Sequence, residues 1–197
     1  MDEKLLAFAQ KVMELKEIKR TGWLLKGISA PESVADHSFM LAIMAYVYSR
    51  ELGLDTDKCI RMALVHDICE VYTGDITTRF REEDQDVGNP EKRRKEREAL
   101  EKIVSFLPKE IARELKALWE EFDKCDTKEA RLVKDLDRLE MCIQALSYAG
   151  RKEGKLQEFF DVADRDIKTP GIRKLFGKVC SEFRKIKGFP EKISDVI

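Results

Sequence analysis

The sequence predicts an all-α protein folded as a single domain. Three observations carry that reading. Apolar residues recur at helical spacing along almost the whole chain. Alternating strand patterns are nearly absent, and neither an internal repeat nor a long linker divides the chain. A length of 197 residues suits one core, large enough to fold alone.

Leu5, Ala9, Val12, Met13 and Ile18 mark a first helix. Gly22, Gly27 and Pro31 then break the period and predict an irregular loop over residues 21–32. Ser33 is placed to cap a second helix, with Asp36 three residues on as its capping-box partner. Phe39, Met40, Ile43, Met44 and Val47 carry that helix to Gly53. A third helix covers about residues 56–71 and ends at Tyr72-Thr73-Gly74-Asp75. The polar stretch through Pro90 reads as loop with a short helix. Ala99, Leu100, Ile103, Val104 and Leu107 form a fourth helix that stops at Pro108. That proline opens a fifth, with Ile111, Leu115, Leu118 and Trp119. Asp126 or Thr127 caps a long helix running to Gly150. Phe159 and Phe160 lie on another, and Pro170 opens the last, through Leu175, Phe176 and Phe183.

Composition narrows the function. Charged residues make up 38% and aromatics 8%, as in a helical protein with ion-paired surfaces. The 37 basic and 38 acidic residues leave a net charge of −1, so nothing favours a nucleic-acid backbone as partner. The densest basic run, Lys92-Arg93-Arg94-Lys95, is interleaved with Glu91, Glu96 and Glu98 and reads as a solvated helix face. Five cysteines (Cys59, Cys69, Cys125, Cys142, Cys180) are odd in number and without a CxxC pair, which argues for reduced thiols. The N-terminus opens into an amphipathic pattern without a signal-peptide block, and no apolar stretch approaches the roughly 20 residues that span a bilayer. A cytoplasmic protein without a membrane partner is expected.

The third helix carries the strongest anomaly. Cys59, Ile60, Met62, Ala63, Leu64, Val65, Ile68 and Cys69 make it apolar almost all round, so it should be buried, yet His66, Asp67 and Glu70 interrupt it. On a regular helix His66 and Glu70 share a face, with Asp67 beside it. Burying such groups is costly unless they pair or bind a metal. The chain has only two histidines, and both stand next to an aspartate: Asp36-His37 and His66-Asp67. A hydrogen-bonded core histidine is the plain alternative; two such pairs shift the weight to a metal.

These residues, together with Arg20-Thr21-Gly22-Trp23, PESVADHS at 31–38, ALVHDICEVYTGDI at 63–76, LWEEF at 118–122 and LVKDLDRLEM at 132–141, resemble the HD-domain metal-dependent phosphohydrolases. The similarity is greatest to the 5′-deoxynucleotidases of the archaeal and eukaryotic branch and covers about residues 1–185. It implies one HD domain over residues 1–197, with the metal and substrate core at about 20–140 and C-terminal helices packed on it. It also implies a homodimer.

The resemblance implies one divalent cation held by His37, His66, Asp67 and Asp137. Asp135 competes for the last place, but on a helical wheel it sits near Arg131 and Arg138, as a surface ion pair would, whereas Asp137 borders Val133 and Glu140. Glu140 is read as an acid behind the ligands or as the partner of a buried arginine or lysine. Mn, Co, Ni, Fe, Zn or Mg would each accept a mixed nitrogen–oxygen set. Arg20 matches the family's phosphate-orienting arginine, and Trp23 its substrate-contacting tryptophan, with plain packing as the other role for Trp23. Asp75, Ile76, Thr77 and Thr78 match the nucleotide-contacting loop, or else simply turn the chain. Glu70 would position the attacking water or exchange its proton.

The implied reaction is hydrolysis of deoxynucleoside 5′-monophosphates. Rivals are a deoxynucleoside triphosphate hydrolase, a cyclic-nucleotide phosphodiesterase and a non-catalytic metal-binding scaffold. Beside Arg20, only Lys26 and Arg79 are nearby cations, which predicts a site with one cationic fork, suited to a single terminal phosphate.

Overall fold

The computed structural model describes residues 2–77, 89–151 and 154–186. Among these the regular elements are helical: α1 (Asp2–Met13), α2 (Thr21–Leu25), α3 (Val34–Glu51), α4 (Thr56–Val65), α5 (Glu70–Thr73), α6 (Asn89–Val104), α7 (Lys109–Lys124), α8 (Lys128–Gly150), α9 (Gln157–Asp166) and α10 (Pro170–Lys185). The all-α expectation therefore holds. One antiparallel bridge joins Lys19 to Ser33.

That bridge explains the first departure from the periodicity. Ile18 lies beyond α1, which ends at Met13 and tightens into a 3₁₀ turn at Glu14–Lys16. The Val34 N–H then donates to the Ile18 carbonyl (2.9 Å) and the Arg20 N–H to the Glu32 carbonyl (3.1 Å). These backbone bonds replace helical ones and clamp Arg20 beside the start of α3. The region expected as loop at 21–32 contains α2, five residues long. At the start of α3 the Ser33–Asp36 capping box is formed in both directions. Thr127, rather than Asp126, caps α8 through its hydroxyl and the Ala130 N–H. The fourth predicted helix is α6; it starts earlier, at Asn89, and stops at Val104.

The centre of the fold is α8, which packs against α3, α4, α7, α9 and α10. Its buried positions run nearly all round, including Leu132, Leu136, Leu139 and Ala145. A smaller apolar cluster, with Leu15, Val34, Ile68, Ile103 and Trp119, packs α5, α6 and α7 beside it. Val65, the residue before His66, touches both clusters. All five cysteines are free thiols, and four are buried. Among the described residues no helix is long and apolar enough to cross a membrane.

Asp135 contradicts its expected role. It is 6% exposed and makes no surface pair with Arg131 or Arg138. Its carboxylate accepts from the backbone N–H groups of Lys168 (3.0 Å) and Thr169 (2.6 Å). Amides at a helix start lack internal partners, so this acid pins the α9–α10 connection onto α8.

Candidate active site

The helix expected over residues 56–71 is broken where the chemistry lies. The His66 Nδ1–H donates to the Ala63 carbonyl (2.8 Å), the acceptor that a continuing helix would offer to the Asp67 N–H. The following bonds are shorter in register, Ile68 N–H to Val65 (3.2 Å) and Glu70 N–H to Asp67 (3.0 Å). So His66 and Glu70 do not share a regular helical face. A tight turn at 66–69 instead aims His66, Asp67 and Glu70 into one cavity.

His37, in the first turn of α3, is fully buried, and its Nδ1 is 2.6 Å from the Glu140 carboxylate. A carboxylate and a carbonyl can only accept, so each Nδ1 carries a proton and Nε2 is the ring atom turned to the cluster. Both Nε2 atoms are buried and make no aligned hydrogen bond among the described residues. They face carboxylates: His37 Nε2 is 3.2 Å from Asp137 and 4.0 Å from Asp67, and His66 Nε2 is 2.9 Å from Asp67. Ligand atoms of His37, His66 and Asp67 all lie within 4.8 Å of one another. Ring nitrogens and anionic oxygens converging in a buried place need positive charge between them, a proton or a cation. The electrostatics agree. Burial and Arg20 oppose a charged His37, yet Glu140 and Asp137 push its pKa up to about 10. This donor set fits a divalent cation.

Other side chains frame the cluster. The Arg20 guanidinium donates to Asp67 (3.4 Å); burial opposes its charge, but Asp75, Asp67, Asp137 and Glu70 hold its pKa above the usual range. Arg138 holds the second Asp137 oxygen at 3.0 Å. Glu70 is 6% exposed, with one carboxylate oxygen buried and without a hydrogen-bond partner among the described residues, and burial with the charges of Asp67 and Asp75 pushes its pKa well up. Asp75 accepts from the Thr21 N–H (2.5 Å), capping α2, and the Ile76 carbonyl accepts from Lys92 (2.9 Å). Asp75, Ile76 and Thr77 all line the cavity; Thr78 and Arg79 lie outside the described residues.

The cavity encloses about 570 Å³, the size of a small-molecule site. Phe122, Phe159 and Met141 give it apolar walls. Trp23 is not among its lining residues. It is 1% exposed, packs on Tyr148 and Phe159, and donates its indole N–H to Glu32 (2.8 Å). The turn of α2 points the indole inward, so Trp23 takes the packing role and leaves Gly22 and Phe159 at the wall.

Two further expectations need correction. The run at 92–95 is not wholly solvated, because Lys92 turns into the cavity to reach Ile76. Nor does the site carry one cationic fork: Lys92, Arg93, Lys134 and Arg138 join Arg20 and Lys26 on its wall. The missed pair on α8 had a visible signal, since residues 134, 137, 138 and 141 form one helical stripe. Lys92 had none, because its reach to Ile76 is a contact between elements, which periodicity does not record.

The HD domain family model matches residues 12–175. The 5′-deoxynucleotidase HDDC2 of Mus musculus is 39% identical over 180 residues, covering 90% of this chain and 87% of that protein. The Homo sapiens protein of the same name is 38% identical over 180 residues, covering 90% and 85%. The crystal structure of the PH0347 protein from Pyrococcus horikoshii superposes with a TM-score of 0.73 at 33% identity, covering 93% of this chain and 99% of that one.

Proposed function

The chain belongs to the HD domain family, and from that premise we propose that it is a divalent-metal-dependent 5′-deoxynucleotidase, releasing inorganic phosphate from deoxynucleoside 5′-monophosphates. The observation that carries this reading is the meeting of two buried imidazole Nε2 atoms and two carboxylates in a cavity that also holds Arg20 and Glu70. The 5′-deoxynucleotidase relatives over nine-tenths of the chain supply the substrate class.

His37, His66, Asp67 and Asp137 would hold the cation. When bound, it polarises a phosphoryl oxygen and lowers the pKa of water. Glu140 fixes the His37 ring and its tautomer, as Ala63 does for His66. The Arg20 fork binds phosphate oxygens and offsets the charge that develops on the transferring group. Glu70, whose pKa burial and the charges of Asp67 and Asp75 raise, moves the proton between the attacking water and the products. Phe122, Phe159 and Met141 shelter the nucleoside, and Asp75, Ile76 and Thr77 contact it from the wall beside them.

The cation is drawn from Mn, Co, Ni, Fe, Zn and Mg. A cytoplasmic homodimer completes the proposal, on the family resemblance and the absence of a membrane-crossing helix among the described residues. Phosphate release from a panel of nucleoside mono-, di- and triphosphates, each with several divalent cations, tests it. Deoxynucleoside 5′-monophosphates should be the best substrates, and 3′-monophosphates poor. Faster release of intact triphosphate from deoxynucleoside triphosphates would overturn it.

A further inference from the structure

We propose that Lys134 is a substrate-binding residue whose ammonium takes the phosphoryl group of the nucleotide, and the inorganic phosphate product, as a second cation beside Arg20. The inference rests on the phosphomonoesterase reading above and adds a group to it.

Six cationic side chains line the cavity among the described residues, and five of them already face carboxylates. Arg20 meets Asp67 (3.4 Å), Lys26 meets Glu158, Lys92 meets Glu96 (3.5 Å), Arg93 meets Asp123 (4.0 Å), and Arg138 meets Asp137 and Asp166 (3.0 and 3.3 Å). Lys134 differs. Its ammonium donates to the Phe122 carbonyl (3.2 Å) and lies 4.7 Å from the centre of the Phe122 ring, and neither partner carries a net charge. Among the described residues Lys134 is therefore the one cation on this wall with no carboxylate at ion-pair distance.

Its place fits a phosphate better than a base. Lys134 stands three residues before Asp137 on α8, one turn away on the same face. The Phe122 ring that it covers packs on His66, centroid to centroid 5.1 Å. So the ammonium sits one aromatic ring from the donor cluster, where a reacting phosphoryl must lie. The acids there (Asp67, Glu70, Asp75, Asp137) would repel a phosphate dianion, and Arg20 is partly spent on Asp67. An ammonium with three donors and one carbonyl partner keeps donors for an incoming oxygen. Its four-carbon stem can swing, and a cation–π contact holds it weakly.

A purely structural role would make Lys134 a cap for a carbonyl in the last turn of α7. The Cys125 N–H closes the same turn onto the neighbouring Glu121 carbonyl (3.0 Å), so the Phe122 carbonyl is left to Lys134. The two roles separate experimentally. Inorganic phosphate is titrated by calorimetry into the manganese-loaded protein, wild type against Lys134→Met and Lys134→Arg, with Tm and metal content measured alongside. The expected result is weaker phosphate binding in Lys134→Met by roughly 10- to 100-fold, the worth of one charge-assisted hydrogen bond. Metal content and Tm should hold, and Lys134→Arg should recover part of the affinity. Unchanged phosphate affinity in Lys134→Met overturns the proposal, whatever Tm does. Should that variant fail to fold, Lys134→Gln gives the same reading, since it keeps a donor for the Phe122 carbonyl and loses the charge. Binding is read without turnover. A wild-type protein inactive on monophosphates would refute the proposed function, and an unaltered affinity in the variant would refute this inference alone.

Discussion

Replacing Glu140 by alanine should weaken metal binding without touching a ligand. The carboxylate lies 2.6 Å from His37 Nδ1, and both side chains are almost wholly buried. A hydrogen bond to a buried charged group is worth about 1.5–3 kcal/mol. Loss of such a partner behind a metal ligand typically costs 10- to 100-fold in affinity, about 1.4–2.8 kcal/mol, so the two approaches agree. The alanine variant leaves the Nδ1 proton unpaired and frees the ring to turn its Nε2 from Asp137. Glu140→Gln keeps an acceptor oxygen in place and should lose less than Glu140→Ala. Competition for manganese against a fluorescent chelator near neutral pH measures both, with circular dichroism to check the fold. A Glu140→Ala protein that binds manganese as tightly as wild type would refute the claim that this bond orients His37.

Four other variants have outcomes that follow from the geometry. Asp137→Ala should lose metal with little change in fold. Asp135→Ala should keep its metal and lose about 1–3 kcal/mol of stability in urea titration, because two buried amides lose their acceptor. The reverse pattern would mean that Asp135 is the ligand. Glu70→Ala should retain metal while its turnover falls roughly 10²–10⁴-fold, the usual contribution of a general acid or base, and metal loss on its assay would make it a ligand. Trp23→Phe removes the indole donor to Glu32 but keeps an aromatic ring against Tyr148 and Phe159. It should cost about 1 kcal/mol in stability and leave KM for deoxyadenosine 5′-monophosphate unchanged, and a large rise in KM would restore Trp23 to the substrate site.

Much of this was legible in the residues. Helical periodicity located the helices because most of them bury one apolar stripe, and Ser33 with Asp36 marked the start of α3 through a local rule that the backbone obeys. The polar residues interrupting an otherwise apolar third helix pointed to the cluster, because such an interruption is costly without a partner. Tertiary exchanges were not legible. The break at 66–69 follows from one imidazole taking a backbone carbonyl, and Asp135 is buried because amides 33 and 34 residues away share one of its oxygens. Periodicity describes one element at a time, so it could not show Lys92 bending over from α6 or Trp23 turning inward from α2.

The central claim is that one cation, held by His37, His66, Asp67 and Asp137, serves phosphate release from a deoxynucleoside 5′-monophosphate. The direct test strips the protein with a chelator and adds manganese back in substoichiometric steps while orthophosphate release from deoxyadenosine 5′-monophosphate is followed. The account predicts no release from the stripped protein and a linear return that levels off at one manganese per chain. Release that persists after stripping, or a return that levels off only at two per chain, would contradict it.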